Sequence, residues 1–123
     1  MPGSSRYFLL GAVTYSNEAK RSVLGVRREV LRTYGAVSTE TAEAMAAGVR
    51  RVGGADIGVA TTGIAGPGGG SASKPVGTVC VALAWNGGAW SKRYELGQRD
   101  RAWIKEVTAQ IALDRLRRWM LEG

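Results

Sequence analysis

Tyr15 and Lys20 lie in the stretch Val13-Thr-Tyr-Ser-Asn-Glu-Ala-Lys20. A lysine held out of water loses affinity for its proton, and can then deprotonate a serine as histidine does elsewhere. A tyrosine nearby can relay that proton or donate to an oxyanion. The chain has no histidine and a single cysteine, so the pair raises the question of where a nucleophile would lie. From spacing alone, a strand-end aromatic and an exposed helix lysine are the better reading.

A second candidate is Gly66-Pro-Gly-Gly-Gly70, within a loop of fifteen residues, 63–77, that holds six glycines. Glycine-rich backbone leaves amides free to point at an anion. The loop is not a Walker loop, since no Gly-Lys-Ser/Thr follows. Nor is it a dinucleotide fingerprint, since Lys74-Pro75 and a strand follow instead of a helix. Pro67 and Pro75 stiffen it, and strand-like runs flank it, which favours an ordered site over a slack connector. Ser71-Ala-Ser-Lys74 has the serine–lysine spacing of penicillin-recognising enzymes. Pro75 moves Lys74 out of helical geometry and the glycines before it prevent a stable turn of helix, so this match is a decoy. Cys80, inside the apolar run Gly77-Thr-Val-Cys-Val-Ala-Leu-Ala-Trp85, reads as a buried reduced thiol.

The elements that must position these groups can be read from the pattern. Tyr7 to Tyr15 is apolar and rich in strand formers, which predicts a buried strand. Ser16 or Asn17 can cap a short helix that ends near Leu24-Gly25, and a second from Arg27 to Tyr34 closes at Gly35. Ser38 or Thr39 caps a stronger helix, with Val37 able to staple onto Ala42. Its stripe is Ala42, Met45, Ala46, Val49 and Val52, and Gly53-Gly54 stops it. Asp56 to Thr62 and Thr78 to Trp85 read as strands. Asn86-Gly87 predicts a type I′ hairpin turn into a strand over Ala89 to Glu95. The last helix, Arg99 to Leu121, presents Ile104, Val107, Ile111, Leu116 and Met120. This order predicts one domain over 1–123, a layered α/β/α sandwich with a mixed sheet. The first strand opens the chain with no helix before it, so the domain is expected to be N-terminally truncated.

With 123 residues, 45% of them hydrophobic, the chain can build one real core. No apolar run reaches the roughly 18 residues of a membrane span. The first residues lack a signal peptide's basic leader and cleavage site, so a cytoplasmic location is expected. Lysine and arginine total 17 against 10 acids, a net charge of +7, which favours anionic partners. Arg50-Arg51 and Arg115-Leu-Arg-Arg118 suit helix C-termini. No aromatics interleave with a basic stripe, so nucleic acid is an unlikely partner.

Three blocks carry a family resemblance: Pro2-Gly-Ser-Ser-Arg-Tyr through Lys20 and on to Val26, Gly35-Ala-Val-Ser-Thr-Glu-Thr-Ala through Val49, and Thr61-Thr-Gly-Ile-Ala-Gly-Pro through Val79. In this order and spacing the chain resembles the CinA C-terminal domain family over residues 2–121. Its characterised members are nicotinamide-nucleotide amidohydrolases, converting nicotinamide mononucleotide to nicotinate mononucleotide and ammonia. They use a serine nucleophile, a lysine base and an assisting tyrosine, with no metal or other cofactor. The resemblance implies Lys20 as base and Tyr15 as helper. It places Thr62, Gly63, Gly66, Gly68 and Gly69 at the nucleotide, and Lys74 or Arg99 at the phosphate. Family chains carry a strand and helix before Pro-Gly-Ser-Ser, with a segment resembling Glu-Ser-Cys-Thr-Gly-Gly whose serine is the nucleophile. This chain starts after that point, so it is expected to be inactive by itself. Ser4, Ser5 and Ser16 are not expected to replace that serine. Gly97-Gln98-Arg99 keeps only the first of two arginines usual at the final helix, with Trp103 near the second and Arg101 and Lys105 close by. The implied partners are a small nucleotide and further copies of the chain, which would cover the exposed sheet edge. An alternative is a non-catalytic domain that binds nucleotides or supports a partner subunit.

Overall fold

Serines start two of the helices and glycines stop three. The computed structural model describes residues 8–122. Ser16 adopts extended backbone, and its hydroxyl accepts from the Ala19 amide at 3.0 Å, opening α1, Asn17–Leu24. Gly25 closes α1 in the left-handed region at φ 71°, where a side chain would be strained. α2, Arg28–Tyr34, ends at Gly35. Ser38 caps α3, Thr39–Gly53, by accepting from the Thr41 amide at 3.0 Å. Gly54 ends it, with Arg50 and Arg51 in the last turn, where cations meet the negative end of the helix dipole. Ser38→Ala should therefore cost about 1 kcal/mol in a urea melt. Thr39→Ala should change little, because among the described residues the Thr39 hydroxyl bonds only the exposed Glu40 carboxylate.

The sheet consists of β1, Ile57–Gly63, β2, Thr78–Trp85, and β3, Gly88–Glu95, in the order β1-β2-β3. The central β2 is buried on both faces, as its unbroken apolar run requires. Cys80, Ala82 and Ala84, with Ala60 of β1, pack against Ala42, Met45 and Ala46 of α3. These small side chains let helix and sheet approach closely: a Cβ on Gly58 would fall inside the Ala46 carbonyl oxygen. On the other face Val79 packs with Ile104 of α4, Arg101–Glu122. The result is the expected layered α/β/α arrangement, α3 and α4 enclosing the sheet.

Five expectations change. Residues 8–15, expected as a buried strand, form neither helix nor strand, and Phe8, Leu9, Val13 and Tyr15 are exposed. A strand needs a hydrogen-bonded neighbour, and this segment has none among the described residues. Among the described residues the sheet is consequently antiparallel, with no parallel pair to make it mixed. At the hairpin only Gly87 has positive φ, at 91°, so the Asn86-Gly87 turn is not type I′. The buried face of α4 is Ile104, Thr108 and Ala112, leaving Met120 exposed. The far end of α4 is held by side chains with polar ends, Trp119 against Trp85 at 5.6 Å between rings and Arg115 over Trp90 at 4.3 Å. An apolar-only pattern passes over both. Val52, expected in the α3 stripe, is also exposed. The turn expected at Pro2–Ser5, with Ser4 and Ser5, lies outside the described residues, as does Tyr7.

Candidate active site

Lys20 is the unusual group. The Ser16 cap sets the first turn of α1, and that turn carries Lys20 inward until only 5% of the residue is exposed. Its Nζ donates to the Thr14 carbonyl at 2.7 Å. No carboxylate pairs with it among the described residues. Burial without a counterion lowers its pKa below the ordinary lysine value. A lysine so placed holds its lone pair at a pH where surface lysines are charged, which a general base requires.

Lys20 lines a cavity of about 580 Å³. Thr61, Thr62 and Gly63 of β1 form one side, and Ala12 to Tyr15 form another. Met45 of α3 and Ile104 and Thr108 of α4 also line it. The cavity thus lies in the layer of the sheet, between the two helix layers. Its further end is the glycine loop, through Gly66, Gly68 and Gly69, with Arg101 and Lys105 from the start of α4.

The loop is pinned at its neck, the Ile64 amide donating to Thr78 at 2.9 Å and the Gly77 amide to Ile64 at 2.8 Å. Arg101 Nη1 donates to the Gly66 carbonyl at 3.0 Å, tying loop to helix. The amides of Ala65, Gly66, Gly68 and Gly69 donate to no backbone carbonyl among the described residues. They remain available to an anion beside two cations.

Tyr15, Lys20, Thr62, Gly63, Gly66, Gly68 and Gly69, all singled out in the sequence, are brought to this one cavity. Lys74 and Arg99 are not. The Lys74 ammonium sits on the Tyr34 carbonyl at 2.6 Å, closing the C-terminal end of α2. Ser71 and Lys74 close a turn, Lys74 N to Ser71 Oγ at 3.1 Å, and form no base–nucleophile pair. Arg99 stacks on the Trp103 ring at 4.7 Å. It stands before the helix because Asp100 is the cap, its Oδ1 accepting from the Trp103 amide at 2.8 Å. Starting there, α4 turns Arg101, Lys105 and Thr108 toward the cavity, the three- and four-residue steps of one helix face. The sequence names Arg101 and Lys105 only as close to the second expected arginine and does not single out Thr108, Thr14 or Thr61; the Asp100 cap is the signal that fixes which face of α4 meets the cavity.

No serine or cysteine lines the cavity among the described residues. The Ser16 hydroxyl is spent on its cap, and Thr62 Oγ1 donates to the Ala36 carbonyl at 2.8 Å. Cys80 is fully buried on the α3 side of the sheet, where burial pushes its thiol pKa up, as an inert structural cysteine requires.

The profile of the CinA C-terminal domain matches residues 1–120. A CinA-like protein of Desulforapulum autotrophicum is 54% identical over 121 residues, which are 98% of this chain and 29% of that protein. One from Geobacter metallireducens is 54% identical over 122 residues, again 98% and 29%. The chain therefore spans under a third of the length of the curated relatives it matches. Among solved structures, the competence/damage inducible protein of Agrobacterium tumefaciens superposes with a TM-score of 0.82 at 48% identity, covering 85% of this chain and 64% of that one. A CinA superfamily protein of Klebsiella pneumoniae gives 0.84 at 35% identity, covering 90% and 69%. A chain matched over nearly its whole length by this domain, with the same fold in its solved relatives, belongs to the CinA C-terminal domain family.

Proposed function

We propose that this chain supplies the base half of a nicotinamide-nucleotide amidohydrolase site. The observation that carries the reading is Lys20, buried in a cavity wall with no counterion among the described residues and aimed by Thr14. In this reading the serine comes from outside the described residues. Neutral Lys20 takes the serine hydroxyl proton as the oxygen attacks the carboxamide carbon of nicotinamide mononucleotide. The tetrahedral intermediate collapses, and Lys20 returns the proton to the departing ammonia. Water, deprotonated by the same amine, then cleaves the acyl ester to release nicotinate mononucleotide and free the serine. Tyr15, on the cavity rim, assists the proton movement. The loop amides and Arg101, in place of Lys74 or Arg99, receive the phosphate.

Calorimetric titration with nicotinamide mononucleotide tests this. Saturable binding without ammonia release is expected. Arg101→Ala should weaken it about tenfold, a loss of about 1.4 kcal/mol, while Lys74→Ala and Arg99→Ala should stay near wild type. No binding at millimolar nucleotide would overturn the reading. Binding that Arg101→Ala leaves intact would move the phosphate elsewhere.

A further inference from the structure

An amine that can take a proton can also attack a carbon with the same lone pair. Of the four lysines, Lys20 alone is buried. Lys74 is spent on the Tyr34 carbonyl, Lys92 lies over the Tyr94 ring at 5.0 Å, and Lys105 is exposed. Exposed ammonium groups are charged and hydrated, and a protonated nitrogen has no lone pair to give. Lys20 is 5% exposed, donates one N–H to the Thr14 carbonyl at 2.7 Å, and meets no carboxylate among the described residues. Burial of this kind lowers a lysine pKa, which is how imine-forming lysines are made reactive. The cavity that Lys20 lines ends at the free amides of Gly66, Gly68 and Gly69, beside Arg101. Met45 and Ile104 supply apolar wall within it. Its volume of about 580 Å³ is that of a small-molecule site, where pockets run about 300–1,000 Å³. One small ligand can therefore meet a nucleophilic amine, an apolar wall and an anion cradle together.

We propose that this cavity also captures phosphorylated aryl aldehydes, as an imine on Lys20 Nζ with the phosphate at the glycine loop and Arg101. The nitrogen lone pair adds to the aldehyde carbon, and one amine proton passes to the oxygen. The carbinolamine so formed loses that oxygen as water, which takes a second proton from nitrogen, and a C=N bond replaces the C=O bond. A proton from solvent then gives the imine nitrogen one N–H, for which the Thr14 carbonyl is already the acceptor. The flat ring suits Met45 and Ile104, since a thioether and a branched alkyl group pack well on an aromatic face. Phosphate carries the selectivity, because the loop amides and the Arg101 guanidinium bind an anion and have nothing to offer an uncharged aldehyde. Capture takes up the lone pair of the base itself, so it switches the site off until water reverses it. The inference shares its phosphate position with the amidohydrolase reading and needs no serine and no turnover.

The probe is pyridoxal 5′-phosphate, its imine fixed by borohydride and located by peptide mass mapping. Saturable labelling of Lys20 is expected, with the imine absorption lost in Lys20→Met. Pyridoxal, which lacks the phosphate, and glyceraldehyde 3-phosphate, which lacks the ring, should each label Lys20 at least tenfold less at the same concentration. Arg101→Ala should lower labelling by pyridoxal 5′-phosphate at least tenfold and leave the weak labelling by pyridoxal unchanged, which shows that the amine itself is intact. Labelling that follows exposure, at Lys74, Lys92 and Lys105 with Lys20 unmarked, would overturn the inference. So would equal labelling of Lys20 by either control aldehyde, or labelling that Arg101→Ala does not reduce. Nicotinamide mononucleotide added in excess separates the two readings. Lys20 imine formation with no nucleotide binding leaves the capture standing and the amidohydrolase reading fallen. Nucleotide binding with no imine at Lys20 does the opposite.

Discussion

Gly48→Ala should destabilise the domain, although helix propensity alone predicts the reverse. Gly48 lies inside α3, and alanine there should gain about 1 kcal/mol over glycine. But a Cβ on Gly48 would fall inside the carbonyl oxygen of Leu24 and 2.8 Å from its carbon. Those are backbone atoms at the last residue of α1, and they cannot rotate away. Arg51 Nη2 also donates to that carbonyl, at 3.2 Å, so the contact is fixed from two directions. Overpacking of this kind costs about 1–3 kcal/mol, occasionally more. A net loss near 2 kcal/mol and a fall in Tm of about 8 °C are expected for a chain of this size. Ala47→Gly, one residue earlier on the exposed face of α3, provides the scale, losing about 1 kcal/mol through propensity alone. An increase in Tm for Gly48→Ala would show that α1 is not seated as described. Because α1 carries Lys20, the same variant should also expose that lysine, which acylation at neutral pH would report.

The helices and the hairpin were legible because their signals are local. Ser16 and Ser38 cap, Gly25 and Gly54 stop, and the apolar run over 78–85 can only be a central strand; each needs nothing from distant sequence. The segment 8–15 was misread for the opposite reason. Its composition is that of a strand, but pairing belongs to two segments together, and it pairs with no segment among the described residues. Without that pairing the described sheet holds only antiparallel pairs, where a mixed sheet is expected from the sequence. The last helix was misread because its outer end is held by the Trp119 ring and the Arg115 guanidinium, which a pattern of aliphatic residues does not register.

Tyr15, Lys20 and the glycine loop, all on short local motifs, line one cavity, whereas the two cations named from the sequence do not. Lys74 and Arg99 are near the loop along the chain but are turned away, one onto the end of α2 and the other onto Trp103. Arg101 and Lys105 reach the cavity because Asp100, rather than an earlier residue, caps α4 and so sets the phase of the whole helix. A two-residue shift in a helix start rotates its faces by more than half a turn, which is enough to exchange one arginine for another.

Lys20→Met should raise stability at neutral pH while removing the candidate base. The ammonium has three donors and one acceptor, the Thr14 carbonyl. Burying the unmatched donors and the charge opposes folding, and methionine fills a similar volume without either. A gain of about 1 kcal/mol is expected at pH 7, after allowing for the Thr14 carbonyl that loses its partner. The pH dependence fixes the cause. The folded-state pKa of Lys20 lies below its unfolded value of 10.5, so the unfolded chain binds more protons between the two. Stability of the wild type must then rise with pH through that window. Below the lowered pKa the penalty is constant; above 10.5 it is gone. Urea melts at stepped pH should accordingly show the advantage of Lys20→Met shrinking as pH climbs toward 10.5. Lys20→Arg, whose charge persists across that range, should be destabilised throughout, because the larger guanidinium cannot shed its proton to fit. If the Met variant kept a pH-independent advantage, Lys20 would be charged in the folded protein and could not take a proton from a serine. The stability curve thus tests the base in a chain that need not turn over substrate, which an activity assay on the same chain would not do.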